Sequence, residues 1–197
     1  ALFRALCEIS VANYNQVIWE KNKRVRIPVD LIAEKWIYYY WPLIENNIFL
    51  PQIFGEKEDG RIKIAFRNHL RDMVERYRKK GGLHGFTLDL RSSFFDKETQ
   101  KMFNNLMNVI KQTIIKGPVT YAGSSLEAKN IDRIFTYVNE DKTIRFRADV
   151  WREISLMNHW IVDAIILRWA ELTSEISRKS IKPGEVVDLL LYNPLEE

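Results

Sequence analysis

The sequence has little cysteine, glycine or proline, and it contains no long apolar run. Its single cysteine, Cys7, excludes a disulfide framework within the chain and any zinc site built from several cysteines. With 8 Gly and 6 Pro among 197 residues, the chain is neither collagen-like nor of low complexity. No stretch of about 18 apolar residues occurs, so we expect no membrane contact through a spanning helix. We expect the chain in the reducing cytoplasm.

Motifs of the common enzyme classes are also missing. There is no G-x-x-x-x-G-K-[ST] loop, no G-x-G-x-x-G fingerprint and no G-x-S-x-G motif. The histidines, His69, His84 and His159, lack H-x-x-x-H spacing, and no C-x-x-C pair occurs. We therefore predict no catalytic residue, no metal ligand and no cofactor in this chain.

One alternative is a self-contained, metal-dependent nuclease. Asp89 precedes the triplet Glu127-Ala128-Lys129, and some nucleases use an acid followed by E-x-K on a β-hairpin. In such a site the carboxylates hold magnesium and the lysine assists the attacking water. Here Glu127 lies apart from the predicted hairpin strands, so we do not favour this alternative.

What remains is the composition of a globular protein, with 46% hydrophobic residues, 28% charged residues and a formal net charge of +4. These proportions exclude intrinsic disorder. The spacing of apolar residues indicates helices. The predicted helices cover residues 2–20, 28–41 with a stop or kink at Pro42, 61–80, 97–115, 149–177 and 183–192. The apolar run at Ala1 has no capping residue before it, so we expect a helix that is cut into at its start, in a chain that is part of a longer protein.

Two short runs rich in strand-forming residues, 134–138 and 143–146, flank a polar stretch and predict a β-hairpin. Residues 83–94 are expected to be irregular or a short strand, and 118–123 a short extended piece. No internal repeat is evident. The sequence thus predicts a mainly α fold: a single multi-helix domain spanning residues 1–197, with a small β-hairpin insertion around residues 134–146.

Basic residues are concentrated in a predicted loop at residues 21–26 and in the predicted helix 61–80. Such clusters neutralise phosphates, so they predict a DNA-binding surface. An ordinary solvated face is the alternative explanation, because lysine and arginine are common on exposed helices. The candidate DNA-binding residues are Arg24, Arg26, Arg61, Lys63, Arg67, Arg71, Arg78, Lys79 and Lys80.

A polar stripe of uncertain role lies on the long predicted helix 149–177. Helical spacing places Arg152, Ser155, His159 and Asp163 on one face. One interpretation is a polar site in which Asp163 orients His159, four residues away. The interpretation we favour is a buried, hydrogen-bonded stripe that fixes the helix against its neighbours.

Several segments carry a family resemblance. They are residues 6–10, 14–15, 33–37, 39–42, 64–67, 117–119, 121–123, 156–161 and 167–172. In this order, over nearly the whole chain, they resemble the N-terminal helical region of bacterial HNH-endonuclease-domain proteins. In such proteins a helical region precedes a compact nuclease module, and that module would hold the divalent metal.

The resemblance does not extend to the nuclease chemistry. Asn68-His69 and Asn158-His159 lie on predicted helices without a ββα-metal pattern, so no catalytic residue is assigned. The resemblance therefore implies a non-catalytic DNA-recognition or regulatory domain of an HNH endonuclease, in bacterial restriction or defence. A protein-interaction or oligomerisation module, with a second copy of the chain as partner, is the alternative.

Overall fold

A computed structural model describes residues 1–122 and 134–192. These residues divide into two compact units. The first contains Ala1–Trp36 and Ile110–Ala164, and the second contains Ile37–Val109 and the chain from Ile165 onward. Each unit is described by itself below, and the single-domain organisation stays a prediction. No described helix has both the length and the apolar composition that crossing a bilayer requires.

The described elements confirm the mainly α class. The helices are α1 (Leu2–Ala12), α2 (Val29–Glu45), α3 (Arg67–Tyr77), α4 (Gly82–Ser92), α5 (Lys97–Ile114), α6 (Ala148–Leu156), α7 (Asn158–Ile176) and α8 (Pro183–Leu191). The strands are β1 (Ile18–Glu20), β2 (Arg24–Pro28), β3 (Thr136–Val138) and β4 (Thr143–Arg147). All four strands belong to the first unit, whereas α3, α4 and α8 belong to the second.

The strands form one antiparallel sheet in the order β1-β2-β4-β3. The predicted hairpin around residues 134–146 is confirmed as β3 and β4. The predicted basic loop at residues 21–26 is confirmed only for the turn 21–23, because residues 24–26 belong to β2, which forms a second hairpin with β1. The predicted helix 2–20 ends at Ala12, and its last three residues form β1. β2 pairs with β4, so its backbone groups find partners more than a hundred residues away along the chain.

One face of this sheet is the core of the first unit. Val25, Ile27, Ile144 and Phe146 alternate along β2 and β4 and are fully buried. The Phe146 ring lies edge-on to Phe135, with 5.4 Å between the ring centroids. Since successive strand residues point to opposite faces, this burial turns the intervening residues outward.

A buried ion pair organises the loop that precedes α3 in the second unit. The Arg67 guanidinium donates two hydrogen bonds to Glu56, at 2.6 and 3.0 Å, and a third to the carbonyl of Leu50. Glu56 also accepts from the backbone N–H groups of Gln52 and Ile64. Burying this carboxylate is tolerated because its oxygens have protein donors.

The connection from α3 to α4 differs from the prediction. Residues 83–94, expected to be irregular or a strand, contain most of α4. Gly81 and Gly82 both have positive φ angles, of 88° and 56°, and reverse the chain so that a new helix starts at once. α4 places Phe86 against Trp41 and Tyr77, with ring centroids 4.9 and 5.6 Å away. The packing of Phe86 against these two rings stabilises α4.

Several predicted helix boundaries also change. α2 continues through Pro42 to Glu45, so Pro42 does not end the helix. The two neighbours of Pro42 in the sequence, Trp41 and Leu43, are buried. The predicted helix 149–177 is interrupted at Met157, where the Asn158 side chain donates to the carbonyl of Ser155. The extended piece predicted at 118–123 is wrong for its described part: residues 118–119 end the wide helical turn Ile115–Val119, which is kinked at Gly117, and residues 120–121 are helical. α5 and α8 lie within one residue of their predicted ranges.

Replacing the buried carboxylate tests the ion pair in the second unit. Glu56→Ala leaves the Arg67 guanidinium buried without a counter-charge, and we expect a loss of about 3–5 kcal/mol in the free energy of unfolding. Urea denaturation measures it. Glu58→Ala in the same loop is the matched control, since Glu58 is exposed and its loss is expected within about 0.5 kcal/mol. Equal stability of the two variants would contradict the assigned role.

A glycine substitution tests the tight connection before α4. A Cβ atom on Gly85 would lie 1.8 Å from the carbonyl oxygen of Lys80, so Gly85→Ala must displace backbone. We expect a loss of about 1–3 kcal/mol, measured by thermal or urea unfolding. Gly184→Ala in α8 is the control: the new methyl meets no atom within 4 Å, and stability is expected to rise slightly.

Candidate nucleic-acid interface

The outer face of the sheet carries four arginines on its two central strands. Arg24 and Arg26 alternate with the buried residues of β2, and Arg145 and Arg147 do the same on β4. In the antiparallel register Arg24 lies opposite Arg147, and Arg26 lies opposite Arg145. Directly opposed residues in such a pair have Cα atoms about 5 Å apart. We call this surface the arginine face.

The central arginine pair has carboxylates beside it. The Arg145 guanidinium donates to Glu20 Oε1 at 3.0 Å, and the Nε atom of Arg26 lies 3.0 Å from the same oxygen. Arg26 also forms an ion pair with Asp141. Glu20 is mostly buried, so this part of the arginine face is a fixed charge network with little capacity for a further anion.

The outer arginine pair is more accessible. Arg147 is exposed and donates hydrogen bonds to Asp149, while Arg24 is half-buried. The Arg147 hydrogen bond, followed by the backbone N–H of Val150, lowers the pKa of Asp149 to about 2. The turn beside this pair carries Lys21 and Lys23, both exposed. This end of the sheet therefore presents basic groups at a solvent-accessible surface.

The basic residues predicted in the second unit do not form a comparable cluster. The predicted helix 61–80 is confirmed only over Arg67–Tyr77: Arg61 and Lys63 precede α3, and residues 78–80 form a turn after it. The assignment of Arg67 to a DNA surface is also wrong, because its guanidinium is buried against Glu56. A buried, neutralised guanidinium has no access to a phosphate.

Of the remaining members of that set, Lys63 is half-buried and the others are exposed, before α3, on it and in the turn after it. Arg71 lies on the exposed side of α3, with Nη2 3.5 Å from Asn68 Oδ1. Arg78 is paired with Glu75 at 2.9 Å. Lys79 and Lys80 follow in the turn. Because Asp72 and Glu75 are exposed on the same helix, its surface carries mixed charge.

The polar stripe is exposed, so the favoured expectation of a buried stripe is wrong. Arg152 lies on α6, whereas His159 and Asp163 lie on α7, and all three are solvent-exposed. Within residues 1–122 and 134–192, no hydrogen bond joins His159 to Asp163. These residues lack the enclosed, oriented geometry that a catalytic histidine requires.

The alternative nuclease site stays a prediction, because the structure describes only one of its three residues, Asp89. The Asp89 carboxylate accepts a hydrogen bond from the Tyr77 hydroxyl at 2.8 Å, which gives it a structural partner. Glu127 and Lys129 lie outside the described residues. Over the part of the chain that the structure describes, no group of three or more His, Cys, Asp or Glu side chains is arranged to hold a metal ion.

Burial, followed by the nearby Glu8, raises the pKa of the Cys7 thiol to about 11.

Arg145 and Arg147 were missed as candidates, although the sequence carries a usable signal. The pattern Arg-x-Arg occurs in both β2 and β4, and residues two apart in a strand share a face. The predicted hairpin already contained Arg145. Only the pairing of β2 with β4 shows that the two Arg-x-Arg segments form one surface.

Comparisons with known proteins give one match. Neither the curated proteins nor the solved structures contain a chain that matches this one. One protein family, described as a domain of unknown function (DUF8808), matches residues 1–190. Because this match covers nearly the whole sequence, the chain belongs to the DUF8808 family.

Proposed function

We propose that this chain is a DNA-binding module that contacts the phosphate backbone with the arginine face. The observation that carries the proposal is the group of basic residues at the accessible end of the sheet, where Arg24 faces Arg147 beside the exposed Lys21 and Lys23. Like charges directly opposite each other in a sheet are unfavourable. A bound polyanion would add to the counter-charge that Asp149 supplies to Arg147.

The chemistry of these side chains fits phosphate. A guanidinium presents planar donors that match two phosphate oxygens at once, and it remains charged at every physiological pH. The neighbouring Lys21 and Lys23 add mobile positive charge at the same end of the sheet.

The wider role follows from the family resemblance of the sequence. We propose a non-catalytic recognition or regulatory domain of a cytoplasmic HNH endonuclease that acts against foreign DNA. In this arrangement the arginine face holds DNA, while strand cleavage and its divalent metal belong to a separate nuclease module. The proposal therefore assigns binding to this chain and assigns no bond-breaking step to it.

Salt-dependent DNA binding tests the proposal. We expect the chain to bind a labelled duplex in fluorescence anisotropy at low salt, and to lose roughly ten- to hundredfold in affinity between 50 and 200 mM salt, as two to four phosphate contacts imply. Arg24→Ala/Arg147→Ala is expected to abolish most of this binding, because it removes the accessible arginine pair.

Arg71→Ala/Lys79→Ala provides the matched control in the second unit. It removes the same total charge from exposed positions, and we expect little change in affinity. Circular dichroism checks that both variants keep the fold. Equal losses in the two variants would show a diffuse charge effect, and no binding by the unmodified chain at low salt would refute the proposed function.

A second candidate function is protein association, favoured by an apolar patch in the first unit. Leu156 and Trp160, on either side of the break between α6 and α7, are 78% and 72% exposed. Met157, between them, is also exposed. Large apolar side chains grouped at a surface mark interaction sites more often than isolated ones do. The partner we propose for this patch is a second copy of the chain.

Light scattering coupled to size-exclusion chromatography tests the second candidate. If the patch joins two copies, the mass rises toward that of a dimer with concentration, and Leu156→Ser/Trp160→Ser restores the monomer. Trp19→Ser is the control, since it removes an exposed tryptophan at another position of the first unit. A monomer at every concentration would rule out self-association.

A further inference from the structure

The two hairpins of the sheet belong to an internal repeat. Residues 23–30 read KRVRIPVD, and residues 142–149 read KTIRFRAD. The two segments share a lysine at the first position, an arginine at the fourth and an aspartate at the eighth. Both lysines have left-handed backbone geometry, with φ of 60° for Lys23 and 54° for Lys142. Each segment then forms a strand that runs directly into a helix. The sequence expectation of no internal repeat is wrong.

The repeats are related by an approximate two-fold axis. Arg26 and Arg145 occupy the same repeat position and lie opposite each other, so the axis passes between them. The backbone hydrogen bonds are reciprocal: Val29 N–H donates to the Lys142 carbonyl at 3.1 Å, and Ala148 N–H donates to the Lys23 carbonyl at 3.0 Å. The outer strands β1 and β3 flank this centre on opposite sides.

Surface charge does not follow this symmetry. At one end of the sheet, Arg24 lies opposite Arg147; the equivalent pair at the other end is Thr143 opposite Pro28. The turns of the two hairpins differ in charge in the same way. The first reads Lys21-Asn22-Lys23, whereas the second reads Asn139-Glu140-Asp141-Lys142. The end with Lys21, Lys23, Arg24 and Arg147 is therefore basic. The turn at the other end carries the carboxylates of Glu140 and Asp141 beside Lys142.

We infer that DNA contacts the arginine face at one end only, the end formed by Lys21, Lys23, Arg24 and Arg147. This inference rests on the proposed DNA binding and specifies its geometry. A two-fold scaffold with two equivalent basic ends would suit a DNA site made of two inverted halves. Among the residues that the structure describes, the sheet has one basic end, so we expect it to contact a single stretch of phosphate backbone without an inverted repeat.

Salt limits the distance over which the charges at each end of the sheet act on a phosphate. Exposed charges separated by more than about 8–10 Å are largely screened at physiological ionic strength. The two ends of β2 are separated by four residue steps, or roughly 13 Å. A phosphate at the basic end is thus attracted by that end and is little affected by the acidic turn at the other end.

Two equivalent lysines provide the decisive comparison. Lys23→Gln and Lys142→Gln remove one charge each, at the same repeat position and from the same left-handed backbone. We expect Lys23→Gln to weaken binding to a non-palindromic duplex roughly three- to tenfold near 0.1 M salt and to reduce the salt slope by about 1. Lys142→Gln is expected to bind as the unmodified chain does. Fluorescence anisotropy over a series of salt concentrations measures both.

The outcomes separate the inference from the proposed function. Equal weakening by the two variants, or a requirement for an inverted repeat, would overturn the single-end geometry while leaving DNA binding intact. No binding by the unmodified chain would refute DNA binding itself, and the inference with it. Sedimentation with excess short duplex gives an independent reading: one duplex per chain supports a single end, and two per chain contradict it.

Discussion

Pairing of β2 with β4 is the constraint on which the first unit depends. The strands lie more than a hundred residues apart in the sequence, and their register is held by the apolar residues that both bury on one face. A slip of one residue would bring Val25 and Ile27 to solvent and put arginines in the core. The hydrophobic requirement on one face therefore also decides which charges meet on the other.

The same residue type serves two different roles in this protein, and burial separates them. Arg67 lies inside the second unit, where Glu56 and the Leu50 carbonyl satisfy its donors. Its charge stabilises a loop and is inaccessible to a ligand. Arg147 lies at the surface, where it donates to the exposed Asp149 carboxylate and where water and a phosphate have access to its donors. Counting arginines along the sequence does not distinguish these environments.

The repeat in the first unit shows which features its two halves share. Both halves keep the left-handed backbone at the lysine, the alternation of apolar residues and the aspartate in the first helical turn. The core requires the alternation, and an aspartate near a helix N-terminus is favourable. The halves differ at two positions of the paired strands, where Arg24 corresponds to the buried Thr143 and Pro28 corresponds to Arg147. The two ends of the sheet therefore differ in charge. That difference supports the proposal of a single DNA contact.

The sequence alone determined the features that depend on neighbouring residues. Helical periodicity located α5 and α8, strand-forming residues around a polar turn located the β3–β4 hairpin, and composition indicated a globular, mainly α chain. The first hairpin was missed because β1 has only three residues, and the alternation along β2 is too short to be separated from a loop. The helix 83–92 was missed because its stability comes from Trp41 and Tyr77, which lie outside that segment.

Tertiary structure alone decided which basic residues share a surface. It buried Arg67, dispersed the cations around α3, exposed His159 and Asp163, and brought Arg24 beside Arg147. The physical reason is that a charge acts through its solvent exposure and its distance from other charges. Both depend on contacts between segments far apart in the chain, which no local pattern records.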